Sequence, residues 1–174
     1  QTTELPFGAA HVVYPKRTAQ RCTVALIVEV NPVALVRGKQ GARKSVDRPL
    51  EAYVNDRPYA ASSFLAVTLS KVFGQALNGR CSARPELVDV PLPLAATVTA
   101  LPCRGGERFV RALFEPLGYD VSVARHVLDA RFPDWGDSVY ADVTLTGTVR
   151  LRDLLAHLYV LVPVLDDDKH YWVG

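Results

Sequence analysis

Val139-Tyr-Ala-Asp-Val-Thr-Leu-Thr-Gly-Thr-Val149 runs directly into Arg150-Leu-Arg-Asp-Leu-Leu-Ala-His-Leu-Tyr-Val-Leu-Val162. In the first half, Val139, Ala141, Val143 and Leu145 alternate with Asp142, Thr144, Thr146 and Thr148. That is the period of a strand with one covered face. From about residue 151 the alternation gives way to an apolar helix, which Pro163 should stop. A short strand at Val164 and Leu165 is expected to follow.

The same alternation appears upstream. Leu92, Leu94, Ala96, Val98 and Ala100 form one strand face, with Thr97 and Thr99 on the other. Pro102-Cys-Arg-Gly-Gly106 makes a turn. A short helix then runs to about residue 115, with Phe109, Val110, Leu113 and Phe114 inward. Glu107, Arg111 and Glu115 are spaced to pair outside it, and Pro116 and Gly118 end it. Another strand is expected over 119–127, with Val121 and Val123 inward. The loop at 129–138 holds Phe132-Pro-Asp-Trp-Gly136, expected to fold in as an aromatic plug. The second half therefore reads β-α-β-β-α. That order suggests a ferredoxin-like split βαβ sheet with helices packed on one face.

The first half is less regular. Residues 1–8 read as an irregular lead-in, and 11–14 as a short strand ended by Pro15. A polar turn at 15–20 precedes a strand over 22–30. Both faces of that strand are apolar, so it is expected to be central and covered on both sides. Asn31-Pro32 closes it. A helix is expected over 62–77, capped by Ser62 or Ser63. Leu65, Leu69, Val72, Phe73 and Ala76 recur at its period, and Lys71 is its only charge. It should therefore be largely buried. Gly74 inside it should cost about 1 kcal/mol relative to Ala, which hints at close packing there. Asn78-Gly79 is the expected stop. The connector at 80–93 has three prolines and is the best internal boundary. The expected class is α+β, with mixed or antiparallel sheets in two lobes, 1–88 and 89–174, forming one compact unit.

Bulk properties narrow the function. A chain of 174 residues that is 49% hydrophobic can bury a real core and is not disordered. A net charge of +2 makes no bulk case for nucleic acid or membrane. The longest apolar run, 158–165, is too short to span a bilayer. The chain begins at Gln1 without Met and shows no signal-peptide pattern, so a fragment of a longer protein is expected. Cys22, Cys81 and Cys103 form no C-x-x-C pair, which favours reduced thiols in a cytoplasmic protein. Arg outnumbers Lys, Ile27 is the single isoleucine and Met is absent; this resembles GC-rich bacterial coding.

The familiar chemical signatures are missing. There is no phosphate loop, no G-x-G-x-x-G, no H-E-x-x-H and no nucleophile elbow. Gly105-Gly106 before a helix reads as a plain turn rather than an anion site. His157 lies four residues after Asp153, a spacing for a surface pair; His11 and His126 read as structural.

Two stretches stand out. Asp166, Asp167, Asp168, Lys169, His170, Tyr171 and Trp172 are consecutive. Such a cluster suits a divalent metal held by oxygen ligands, a partner surface, or a solvated turn. Three consecutive carboxylates cannot all face one ion in regular structure, and the two aromatics favour contact. Arg37, Lys39, Arg43, Lys44 and Arg48 form a basic loop among glycines. It reads as a solvated loop, or as a contact to RNA phosphates or an acidic partner.

These residues also carry a resemblance. The strings are Tyr53-Val-Asn-Asp-Arg-Pro-Tyr59, Leu101-Pro-Cys-Arg-Gly-Gly106, Phe114-Glu-Pro-Leu-Gly-Tyr119, Gly147-Thr-Val-Arg-Leu151 and Leu158-Tyr-Val-Leu-Val-Pro-Val-Leu-Asp-Asp-Asp-Lys-His-Tyr-Trp172. Over nearly its whole length the chain resembles the N-terminal region of the bacterial Hen family, the RNA 3′-terminal ribose 2′-O-methyltransferases. The resemblance implies a non-catalytic module that binds a polynucleotide kinase-phosphatase-ligase and activates RNA ligation. S-adenosylmethionine and a divalent metal are then expected only in a separate methyltransferase domain, with RNA reached through the complex and no membrane contact. No catalytic residue is carried over. Under this reading the Asp166 to Trp172 cluster is the expected partner interface, and the basic loop a possible RNA or partner contact. The alternatives are an RNA-holding module, or a metal-dependent phosphoesterase using Asp166, Asp168 and His170.

Overall fold

The computed structural model describes residues 1–31 and 58–165, with side chains from residue 62 onward in the second segment. Contacts divide the chain into two compact units, Gln1–Val72 and Phe73–Gly174.

The first unit is built on an antiparallel sheet of β1 (Thr2–Leu5), β2 (Gly8–Arg17) and β3 (Cys22–Val30), in that spatial order. The lead-in read as irregular is thus a strand. Its register pairs Thr2 with His11 and Leu5 with Gly8. Strand β2 does not end at Pro15. The register slips between Val13 and Lys16, and Pro15, which has no N–H to give, falls in that irregularity.

Strand β3 has the bounds read from its alternation, but among the described residues it is an edge. Two tight connections place β1 and β3 on either side of β2, so β2 is central. Leu26, Val28 and Val30 pack against a core of Leu5, Phe7 and Ala10. Ile27, on the opposite face, is 54% exposed, so only one face of β3 is covered.

Helix α1 (Pro58–Val72) closes this core. Phe64 and Val72 pack against it, and the Phe64 ring lies 4.4 Å from that of Phe7. The helix starts four residues earlier than expected. Ser62 is therefore a buried residue within the helix, not its cap. Thr68 is fully buried and donates its hydroxyl to Phe64 O at 2.7 Å. Val67 and Lys71 face outward, so the helix is half-buried, not largely buried.

The helical pattern breaks after Val72, and a short helix α2 (Gly74–Leu77) begins the second unit. Nothing described lies within 4 Å of where a Gly74 Cβ would stand, so this glycine marks the break and not a close contact. Gly79, at φ +63°, stops α2, and the Asn78 side-chain amide donates to Gly74 O at 2.7 Å.

The second sheet holds β4 (Leu92–Pro102), β5 (Asp120–Val127) and β6 (Asp137–Val149) in the order β4-β6-β5. Both pairings are antiparallel, so β4 and β5 run parallel with β6 between them. This is the expected split βαβ order within an α+β fold. Val121, Ala141, Val143 and Leu145 are buried on one face. Helices α3 (Gly106–Phe114) and α4 (Leu151–Leu161) bury Val110, Phe114, Leu154, Leu155 and Leu158. On the other face, Thr97 and Thr144 hydroxyls meet at 2.9 Å in exposed surroundings.

Two details depart from the alternation. The β4 register shifts between Val98 and Leu101, and Ala100 adopts φ 51°. Leu101 is consequently buried and Ala100 exposed, the reverse of a regular strand. Past α4 the chain forms a 3-10 turn, Val162–Leu165, not a strand. Val162 and Leu165 are three apart, share one side of that turn, and are both buried. Among the described residues, no helix is long and apolar enough to cross a membrane.

Candidate partner-binding surface

The residues singled out from sequence fall outside the described parts of the chain. Arg37, Lys39, Arg43, Lys44 and Arg48 lie in 32–57, and Asp166, Asp167, Asp168, Lys169, His170, Tyr171 and Trp172 lie in 166–174. Where each stretch departs is well defined. At the end of β3, Asn31 N–H donates to Phe7 O at 2.8 Å. The acidic-aromatic stretch follows the buried Val162 and Leu165 directly in sequence.

Among the described residues, the β5–β6 connection presents two exposed aromatics side by side. Phe132 and Trp135 are stacked, with centroids 4.7 Å apart and planes 15° from parallel. They are 50% and 61% exposed, so the expected plug faces outward. The reason lies in the turn chemistry. Arg131 N–H donates to Asp129 Oδ1 at 2.7 Å, and Phe132 N–H to Asp129 O at 3.2 Å. Trp135 N–H and Gly136 N–H then close a 3-10 turn started by Pro133, both at 3.0 Å. Gly136, at φ 80° and ψ −160°, returns the chain to β6 in a conformation reserved for glycine. A turn wound this tightly keeps its side chains from reaching the core. Val127 and Leu128, at the end of β5, are exposed as well, as are Asp134 and Asp137.

Behind this tip, the bulge in β4 is held by a carboxylate. Asp142 Oδ1 accepts from Ala100 N–H at 3.0 Å, and Asp142 Oδ2 lies 3.2 Å from His126 Nε2. The Ala100 N–H, and secondarily His126, hold the Asp142 carboxyl below the usual carboxylate range. A cavity of about 180 Å³ adjoins, lined by Cys103, Arg104, Gly106, Arg125, Asp137 and Ser138 among others. Burial pushes the Cys103 thiol up, opposed by the nearby Arg125. Gly105-Gly106 has a packing explanation as a turn. Gly106 N–H donates to Cys103 O at 2.9 Å, and a Cβ on Gly105 would meet the Phe109 ring at 2.7 Å.

Each histidine among the described residues has a partner. His157 does not pair with Asp153; its Nδ1 lies 2.8 Å from Tyr119 Oη. Asp153 is taken by Arg150 at 2.6 Å and Arg152 at 3.7 Å. His11 bridges Thr2 and Glu29 on the open face of the first sheet, at 3.1 and 3.3 Å. Among the described residues, no three of His, Cys, Asp and Glu converge as a metal site. The surface that sequence reading missed is the Phe132–Trp135 tip. Its signal was present in Pro133 and Gly136, each directly after one of the aromatics, with Asp134 between the rings and Asp129 and Asp137 flanking the loop.

Over residues 1–174 the chain matches the family model described as the RNA repair, ligase-Pnkp-associating, region of Hen1. No curated protein matches it.

Proposed function

The chain belongs to the family of the RNA repair, ligase-Pnkp-associating, region of Hen1, and from that premise we propose that it docks onto the polynucleotide kinase-phosphatase-ligase and switches on RNA sealing. The observation that carries this reading is the extent of the match, which takes in the whole chain, residues 1–174. On this reading the module does no bond chemistry. Methyl transfer, with its S-adenosylmethionine and metal, belongs to a separate domain, and RNA meets this chain through the complex. The setting is the bacterial cytoplasm.

Activation by docking obeys a simple limit. A partner shifts the ligase equilibrium only by its differential affinity for the active and resting states. A tenfold gain in active ligase needs about 1.4 kcal/mol of such preference, within the usual range of allosteric coupling. We assign the contact to Asp166, Asp167, Asp168, Lys169, His170, Tyr171 and Trp172, with Arg37, Lys39, Arg43, Lys44 and Arg48 as a second contact. The first assignment is supported by the buried Val162 and Leu165, which directly precede that stretch in sequence.

The direct test is size-exclusion chromatography of this chain with the purified partner, followed by RNA sealing assays on the co-eluting fraction. Co-elution with faster sealing is expected. Separate elution of the two folded proteins contradicts the proposal.

A further inference from the structure

We propose that the Phe132–Trp135 tip of the β5–β6 hairpin is a second docking element, built to enter an apolar groove with a basic rim on the ligase partner. The inference rests on the function proposed above and adds a surface to it.

Three observations converge on the tip. The first is exposure. Two large rings stand 50% and 61% in solvent, with Leu128 at 59% beside them. Paired aromatics of this kind carry much of the energy of protein interfaces. The second is preorganisation. The stack at 4.7 Å rests on a turn whose backbone N–H groups at Arg131, Phe132, Trp135 and Gly136 are all donated within the loop. Rings already held in place lose little freedom when a groove receives them.

The third is charge, and it selects the occupant. Asp134, between the two rings in sequence, is exposed; Asp129 and Asp137 flank the loop with Arg131, and Asp137 shares a cavity lining with Arg104 and Arg125, so the uncompensated acid at the rings is Asp134. An acidic edge around an apolar centre complements a basic-rimmed groove. The same edge repels RNA phosphates, so the exposed rings are poorly placed to stack on bases. It also disfavours a second copy of this chain, since a two-fold contact would bring two acidic edges together.

The experiment measures affinity of the whole chain for the purified ligase partner by titration calorimetry. The double variant Phe132→Ala/Trp135→Ala is expected to bind at least about 30-fold more weakly, with an unchanged circular-dichroism melt. Asp134→Lys/Asp137→Lys keeps both rings and decides the matter should the first variant melt early. Its affinity should fall several-fold, and the binding should lose its dependence on salt. Unchanged affinity in a folded double variant, beside firm wild-type binding, overturns the tip while leaving the proposed function standing. No binding by the wild-type chain overturns both. Wild-type self-association abolished by the double variant, without loss of partner affinity, makes a second copy the occupant and overturns the proposal. RNA binding that depends on the two rings, with partner affinity intact, does the same.

Discussion

Tyr119 Oη lies 2.8 Å from His157 Nδ1, with the two rings edge-on at 88°, and this contact ties the residue that leads into β5 to helix α4. Tyr119 is only 4% exposed. Burial, with a smaller contribution from Asp153, pushes its phenol up to about 12.

That shift fixes a pH dependence. An unfolded tyrosine loses its proton near pH ~10. Between there and about 12 the unfolded state gives up the proton before the native state does, so stability falls as pH rises. Below the unfolded value the contribution is intact. Tyr119→Phe should cost about 1 kcal/mol at neutral pH through the lost hydrogen bond. In urea unfolding, the gap between wild type and variant should narrow by about 1 kcal/mol or more between pH ~8 and ~11. A gap that stays constant contradicts the assignment.

Two glycines should respond oppositely to the same substitution. A Cβ on Gly8, at φ +151°, would stand 2.0 Å from the Glu29 carbonyl oxygen in the neighbouring strand. Gly8→Ala must therefore part β2 from β3, at a cost above about 2 kcal/mol. Gly74 has nothing described within 4 Å and opens a helix. Gly74→Ala should stabilise by roughly 0.5–1 kcal/mol. Thermal melts of the two variants give the answer, and equal effects would refute the contrast.

The acidic-aromatic segment yields a binding prediction. Replacing Asp167, His170 and Trp172 together by Ala should weaken the partner complex by about tenfold or more. The fold should hold, because the buried residues Val162 and Leu165 precede the segment. Affinity equal to wild type in a normally melting variant would remove this segment from the interface.

Much of the second unit was legible because its strands obey a period of two and its helices a period near 3.6. Val143 and Leu145 read as core and are core. The Glu107-Arg111-Glu115 ladder appears as read, with contacts of 2.7 and 3.0 Å. The misreadings share a cause. Pattern shows which faces are apolar, but not where a strand slips register or which strand ends up at an edge. Alternation points Ala100 inward, because a bulge stabilised from Asp142, 42 positions away, leaves no local mark. Pattern puts β3 at the centre, because its outer residues, Ile27 among them, are apolar yet exposed on what is an edge strand among the described residues. Spacing pairs His157 with Asp153, because a partner four residues away is visible in sequence, whereas Tyr119, 38 positions away, is not. The aromatic tip was read as a plug because Phe and Trp usually bury; the Pro133 to Gly136 turn overrides that preference.

Ligase activation by this chain, as proposed above, is tested by self-adenylation of the purified polynucleotide kinase-phosphatase-ligase, with and without a stoichiometric amount of this chain. A rise of about tenfold or more in ligase-adenylate, matching a preference of about 1.4 kcal/mol for the active state, is the predicted result. Firm binding with no change in adenylation or sealing would contradict it, and would reduce the chain to a tether.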